Sequence, residues 1–519
     1  MLVAFRADAN PQIGTGHVMR CLALAEALTA RGARCVFLCR AAGLGALAER
    51  IAAGGHTLIE LPEGTPPAQP DTFAHSAWLP HGWREDARLC RECLATFAPV
   101  DWLVVDHYAL AADWQTALRA TARQILVIDD LADRPHDADL LLDQNLQTEP
   151  EKRYIGLLPA YCQTLFGPRH ALLRREFAAA REAALNRRAE DSAQRLLVMF
   201  GGADRENLTT RTLVVLAEMG FAGAVDVVVG PLHGEAENLE RYCAAHPGLC
   251  LHRSPPDIAA LLAAADLAVG SPGVSTWERC SVGLPSITLA VAANQLELAE
   301  TVAEQQGHLH LGRHDAVSDT ELAAAIRLLW SLAEWRDRIA RHAGLICDGR
   351  GAERLAKRMF AAITVRPATL DDATRLFDWR NDPRVRQHAF DSRSLIWEAH
   401  LAWLGKVLAD SRHVLLIGET SGQACGCVRF DLQEAQVRVS LFLDPARFGE
   451  GLAIPLLRAA EAHLRARHRD AGPLHAEVRA DNLASWQSFI GAGYTPAYHV
   501  LTRPAAPVPG AADNPDNPN

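Results

Sequence analysis

LVAFRADANPQIGTGHVMRCLALAEALTARG, residues 2–32, holds a short apolar run, a glycine-containing loop and a longer segment with apolar residues at helical spacing. LVAFRA (2–7) predicts a buried strand, and VMRCLALAEALTARG (18–32) predicts a helix ended by Gly32. The same grammar repeats outward. CVFLCR (35–40), WLVVDH (102–107), ILVIDD (125–130) and ADLLLDQN (138–145) are further apolar runs short enough for buried strands. A second series starts near Arg195 with RLLVMF, GGAD and TRTLVVLAEMG, followed by VDVVVG (225–230), ADLAVGS (265–271) and LPSITLA (284–290). Strands alternating with helices predict α/β structure with parallel, doubly wound sheets. Between the two series, the charged, Ala-rich AAAREAALNRRAEDSAQ (178–194) reads as a connecting helix or hinge.

The expected organisation is therefore a GT-B-like pair of Rossmann-type domains, residues 1–180 and 181–361, with ligands at the carboxyl ends of the strands. A third, α+β block follows at 362–503. ITVRPAT and DDATRLFDWRND read as strand and helix, and HVLLIGET and ACGCVRFD as antiparallel strands around the turn SGQ. VRVSLFLD then enters a Gly-rich loop and the helix LAIPLLRAAEAHLRARH. Residues 504–519, rich in Pro, Asn and Ala, predict a disordered tail.

Composition narrows the function classes. Of 519 residues 49% are hydrophobic and 22% charged, which excludes a wholly disordered chain. The net charge of −10, without any long Lys/Arg block, disfavours nucleic acid and anionic membranes as partners. No apolar run reaches the roughly 18 residues of a membrane span, and Arg6 and Asp8 interrupt what would be the apolar centre of a signal peptide. The 12 cysteines are scattered apart from Cys90/Cys93 and Cys425/Cys427, the pattern of a reducing cytoplasm, and no metal site is expected.

Three constellations carry chemistry. In the first, Arg6, Asp8, Gly14, Gly16, His17 and Arg20 span the loop between the first strand and its helix. Gly14 and Gly16 permit close approach of a ligand, and His17 falls in the first helical turn, where the positive end disfavours imidazolium and favours a neutral base. Packing or capping is the alternative for His17. Asp8 either orients His17 or the attacking water, or pairs with Arg6 or Arg20. Asp106, His107 and Tyr108 follow a buried strand and are expected to line the same crevice. In the second, Gly273, Ser275 and Thr276 open a helix after Gly270-Ser271, offering amides and hydroxyls to a diphosphate. Glu278 either accepts ribose hydroxyls or completes a capping box with Ser275. Gly201 and Gly202 let the backbone approach the substrate, and Asn294 and Gln295 either face the sugar or form a polar loop. In the third, Arg447, Gly449, Gly451 and Ala453 lie between a strand and an amphipathic helix, a loop suited to a pyrophosphate.

Families enter on these residues. RxDxxxxIGxGHxxRC (6–21), VVDHY (104–108), VIDDLADR (127–134), LLLDQN (140–145), FGPRHALLRREF (166–177) and FGGAD (200–204) together resemble the UDP-2,4-diacetamido-2,4,6-trideoxy-β-L-altropyranose hydrolases of pseudaminic acid biosynthesis, relatives of MurG-type glycosyltransferases. The resemblance implies hydrolysis of a UDP-linked amino sugar at its anomeric carbon, with His17 as the catalytic histidine and no metal. The third block is similar to the GNAT N-acetyltransferases, which implies acetyl-CoA as cosubstrate and Asn482 in the cofactor segment. Two positions depart from that pattern: Phe448 replaces the usual Gln/Arg, and Phe489 replaces the tyrosine expected to protonate the leaving thiolate. A β-bulge amide is expected to polarise the thioester. The combined expectation is a bifunctional enzyme that N-acetylates the 4-amino group of a UDP-sugar and hydrolyses the product. The alternative is a MurG-like glycosyltransferase with a non-catalytic or protein-acetylating GNAT domain.

Overall fold

The computed structural model describes residues 1–10, 13–40, 45–62, 75–97, 100–190, 193–201, 204–230, 233–361, 363–420, 422–434, 436–468 and 470–497. The tail expected at 504–519 lies outside them. The chain forms two compact units, Met1–Thr364 with Thr420–Gly422, and Val365–Glu419 with the residues from Gln423 onward.

The first unit contains two parallel sheets. Strands β1 (Leu2–Ala7), β2 (Arg34–Cys39), β3 (Thr57–Glu60), β4 (Val100–Asp106), β5 (Ala122–Ile128), β6 (Leu140–Asp143) and β7 (Gln163–Phe166) lie in the order β3-β2-β1-β4-β5-β6-β7. Strands β8 (Arg195–Met199), β9 (Ala224–Val229), β10 (Leu249–Arg253), β11 (Leu267–Gly270), β12 (Ser286–Ala290) and β13 (Leu309–Arg313) follow the order β10-β9-β8-β11-β12-β13. In each sheet the winding reverses beside the first strand, between β1 and β4 and between β8 and β11. A crevice opens at the carboxyl ends of the strands on such a switch point. The His17 loop follows β1, Asp106 ends β4, and Ser271–Thr276 follows β11, so both crevices carry residues singled out by sequence.

Packing explains the order. In the first sheet Phe5 on β1 stacks on Phe37 of β2, ring centroids 4.7 Å apart, and the helix Gly16–Thr29 buries Val18, Cys21, Leu22, Leu24, Ala25 and Leu28 on the same face. Each such leucine contributes about 1.5–3 kcal/mol relative to exposure. The helix Gly351–Ala361 packs there as well: Ala352, Leu355, Ala356 and Met359 join the core of Val3, Phe5 and Leu24, and the Met359 carbonyl accepts from Trp102 Nε1 at 3.2 Å. Assigning 351–361 to the second half by sequence order is thus corrected, because the apolar face of this helix belongs to the first.

The helix Arg175–Glu190, expected as a connection or hinge, is fastened to the second sheet's helices. Arg181 donates to the carbonyls of Ser281 (2.7 Å) and Gly344 (2.7 Å), and Arg188 to those of Ala265 (2.8 Å) and Leu262 (2.6 Å). Guanidinium groups here satisfy the orphan carbonyls of helix ends.

The second unit holds strands β14 (Thr364–Pro367), β15 (His413–Thr420), β16 (Gln423–Leu432), β17 (Val437–Leu443) and β18 (Leu474–Ala476), in that spatial order. β16 and β17 are antiparallel with an unbroken register from Gly426↔Leu443 to Leu432↔Val437, so the expected bulge is absent from this ladder. β18 runs parallel to β17 but pairs only with Val437–Val439, and β17 continues to Leu443 without it.

Candidate active site

At the first switch point the ring of His17 is held by a carboxylate. Nδ1 lies 2.6 Å from Asp106 Oδ1, and Arg20 donates to both oxygens of Asp106 at 2.6 Å. An ionised carboxylate only accepts, so Nδ1 carries a proton and Nε2 is the ring nitrogen left for other partners. That nitrogen has no hydrogen-bond partner among the described residues. Burial works against the charge on Asp106, yet Arg20 and His17 hold its carboxyl well below the usual carboxylate range. The loop before the helix is tight: the Asn10 carbonyl accepts from Gly14 N at 2.8 Å, and Gly14 has φ +78°, a conformation that favours glycine. A Cβ at Gly16 would meet nothing within 4 Å, so the backbone beside His17 is open.

An aromatic wall surrounds His17. Tyr108 meets it edge-on with ring centroids 4.7 Å apart, Trp78 does so at 5.9 Å, and Trp78 stacks on Tyr108. The Tyr108 hydroxyl donates to Asp130 (2.5 Å), which also accepts from Asn145 Nδ2 (3.1 Å). Burial and the charge of Asp130 push the Tyr108 hydroxyl up, so it stays protonated. Trp78 lies in none of the motifs, and Asp130, although inside VIDDLADR, is not among the site residues read from the sequence.

Asp8 does not reach His17. Arg6 grips it with two bonds of 2.6 and 2.8 Å, Arg40 N donates to it at 2.8 Å, and His107 Nε2 stands 3.2 Å away. Arg6 also donates to Asp86 at 2.8 Å, as does Arg40 at 2.6 Å. Asp8 is thus a member of a buried ionic network, and the expectation that it orients the histidine is corrected in favour of Asp106. Burial keeps His107 on the neutral side of its ordinary range despite the pull of Asp8.

At the second switch point Gly201 has φ +92° after β8, while Gly202 lies outside the described residues. Ser275 opens a helix of only 7 residues, Ser275–Ser281, capped by Val274, so the Ser275/Glu278 capping box does not form. Gly273 has open space where a Cβ would stand. Thr276 is buried, so direct contact with a ligand is corrected to a place behind the loop, whereas Ser275 is half-buried. Arg279, which sequence reasoning passed over, reaches back to Ser275 Oγ at 3.0 Å, Thr276 Oγ1 at 3.3 Å and the Ser271 carbonyl at 3.0 Å. Burial raises the Glu278 carboxyl. Gln295 Oε1 accepts from Val291 N at 3.0 Å and so braces its own loop. Asn294 sits in the same short turn, Ala293–Gln295.

In the second unit, Gly449 and Gly451 have φ +88° and +73°, with nothing within 4 Å of an added Cβ. Ala453 begins the 15-residue helix Ala453–Arg467. These glycines and the unpaired end of β17 fit an extended cofactor with a pyrophosphate. Two flanking residues have partners within the chain. Arg447 is tied to Glu450 at 2.7 Å, and Asn482 Oδ1 caps its own helix by accepting from Ser485 N at 3.1 Å. Phe489 packs edge-on against Tyr494, whose hydroxyl donates to Glu461 at 2.7 Å.

Among the described residues one trio, Asp226, Cys250 and His252, brings ligand-type atoms within 4.8 Å. Arg195 and His252, each at 2.8 Å, already engage the two oxygens of Asp226 and account for the cluster without an ion. Cys90 is buried beside Asp86. No helix among the described residues is long and apolar enough to cross a membrane.

Residues 362–495 match the family described as Acetyltransferase (GNAT) domain. The chain is 25% identical over 263 residues to the UDP-2,4-diacetamido-2,4,6-trideoxy-beta-L-altropyranose hydrolase of Campylobacter jejuni, covering 50% of this chain and 81% of that protein. It is 21% identical over 322 residues to an uncharacterized protein of Methanocaldococcus jannaschii, covering 58% of this chain and 62%, under two thirds, of the relative. Among solved structures, Acinetobacter baumannii MurG aligns with 69% of this chain and 98% of its own, at 13% identity and a TM-score of 0.49. The chain is a fusion of a pair of Rossmann-type domains, similar to the sugar-nucleotide hydrolase, with a GNAT acetyltransferase domain.

Proposed function

We propose that the first unit hydrolyses a UDP-linked 2,4-diacetamido-2,4,6-trideoxy sugar at its anomeric carbon, and that the second unit N-acetylates the 4-amino group of the precursor with acetyl-CoA. The observation that carries the reading is the His17–Asp106 pair at the β1/β4 switch point, with Nε2 of His17 free to accept a proton. In the hydrolytic step a water oxygen bonds to C1 while the C1–O bond to the diphosphate breaks and its electron pair leaves with UDP. The water proton passes to His17 Nε2, and Asp106 stabilises the resulting imidazolium. UDP is a good leaving group, so no second carboxylic acid has to protonate it, unlike the paired carboxylates of ordinary glycosidases. Tyr108 and Trp78 offer an apolar wall suited to a deoxy sugar. In the acetyl transfer the neutral amine attacks the thioester carbonyl, the C–S bond breaks, and the ammonium proton ends on the thiolate.

The test is to incubate the full chain with the UDP-4-amino sugar, with and without acetyl-CoA, and to follow UDP and sugar by NMR. Acetylation followed by release of UDP and free diacetamido sugar is expected. Release only when an acceptor sugar is added would replace the hydrolase reading with glycosyl transfer. Gly451→Val, which forces a β-branched residue to φ +73°, is expected to reduce acetyl transfer at least about tenfold while leaving UDP release from the already acetylated sugar nucleotide unchanged. Unchanged acetyl transfer in that variant would remove the glycine loop from the acetyl-CoA site.

A further inference from the structure

Two arginines at the two switch points are buried alike and partnered differently. Arg6 is 0% exposed and lies between Asp8 and Asp86. Arg279 is 1% exposed and has no carboxylate within 4 Å among the described residues. Its partners are neutral oxygens, Ser275 Oγ, Thr276 Oγ1 and the Ser271 carbonyl, and its buried Nε has none. Taking a guanidinium out of water costs several kcal/mol unless an anion offsets it, and neutral acceptors recover only part. Burial draws Arg279 down to about 10, which leaves it charged at neutral pH. A fixed positive charge that hydrogen-bonds only neutral oxygens, with Glu278 acting on it through space alone, therefore sits against the 271–276 loop.

The hydroxyls carry the second half of the argument. A hydroxyl that accepts from an N–H must direct its own proton elsewhere. Neither Ser275 nor Thr276 donates a side-chain bond among the described residues. Thr276 is buried behind the loop, so Ser275 is the hydroxyl open to a ligand, with its proton turned away from Arg279.

We infer that Arg279 is a positioning residue for a diphosphate: it sets Ser275 O–H as a donor toward the anion and supplies the positive field that the anion offsets. The inference rests on the reading of this loop as the nucleotide site. It makes the diphosphate, and not the uridine, the part of the ligand that this loop recognises.

Titration of the full chain with uridine, UMP and UDP tests it. Wild type is expected to bind UDP much more tightly than uridine. R279Q, neutral and too short to hold the Ser275 hydroxyl, is expected to bind UDP about 10- to 100-fold more weakly while uridine changes less than about threefold. R279K, which keeps the charge and loses the fork, is expected in between, and S275A is expected to lose about 3- to 10-fold for UDP only. Equal UDP affinity in R279Q, or parallel loss for uridine and UDP, overturns the inference and leaves the nucleotide site standing. Absence of UDP binding by wild type overturns both. If circular dichroism shows R279Q unfolded, R279K and S275A decide: unchanged UDP affinity in S275A, or parallel loss in either, overturns the inference.

Discussion

The two Rossmann-type sheets wind identically around their first strands, yet their switch points hold different charge arrangements. At the first, Arg6, Arg20 and Arg40 are matched by Asp8, Asp86 and Asp106, with His17 at the rim. At the second, Arg279 faces only hydroxyl and carbonyl oxygens. A shared topology provides a crevice, and the charge arrangement decides what each crevice can do. Balanced carboxylates can orient a base and stabilise its conjugate acid, but they repel a phosphate. An unmatched cation attracts the phosphate and has no proton to move. On the proposed reading, nucleophile and leaving group are thereby assigned to opposite halves.

The contrast breaks most severely at His17. His17→Ala is expected to lower kcat for UDP release about 10³- to 10⁴-fold while the Kd for UDP, measured by titration, stays unchanged. A matching loss of UDP affinity would merge the two roles. Asp106→Asn is next, at about 10²- to 10³-fold in kcat, because an amide no longer fixes the Nδ1–H tautomer. Asp8→Asn sharpens the division within the first half. It leaves a buried guanidinium short of a partner and is expected to cost about 3 kcal/mol in chemical denaturation, with kcat of the folded protein falling less than about tenfold.

The remaining effects are pH-dependent, and the halves oppose one another. Burial lowers His308, in the second half, from 6.5 to about 3, so the unfolded chain takes the extra proton and stability falls as pH drops below 6.5 toward 3. Burial raises Asp143, in the first half, from 3.8 to about 7, so the folded chain takes the proton first and stability rises as pH drops from 7 toward 3.8. Each slope is at most about 1.4 kcal/mol per pH unit. His308→Gln should make the acid loss shallower and Asp143→Asn should make it steeper, as read from denaturation midpoints across that range.

What the sequence made legible follows from burial. Strands covered on both faces, such as β1, β4, β8 and β11, read as apolar runs with charges only near their ends. The strands that escape such a reading, β3, β7, β10 and β13, are the four edges of the two parallel sheets, where residues such as Glu60, Gln163, His252 and Arg313 meet solvent and interrupt the run. His17 and its glycines are legible because loop, strand and helix are contiguous. The choice between Asp8 and Asp106 is not, since Asp106 stands 89 residues from His17 and only the pairing of β1 with β4 brings it there. Asn482 has a second, local role: an asparagine before Leu-Ala-Ser serves as a helix cap, and here it accepts from Ser485 N. Arg279 escapes because nothing in Trp-Glu-Arg-Cys marks which side of a short helix is inward.

The return of the helix Gly351–Ala361 to the first core sets an order of assembly. The first sheet is complete once Phe166 is made, but its core waits for Leu355, Ala356 and Met359. At roughly 5–20 residues per second, ribosomal synthesis imposes a delay of roughly 10–40 s, during which Leu24, Leu28 and their neighbours lack a cover. The second sheet is continuous in sequence and has its own core, so it can form within that interval. A nascent chain thus finishes its first domain after its second, and a truncation meant to isolate the Rossmann pair has to run through residue 361.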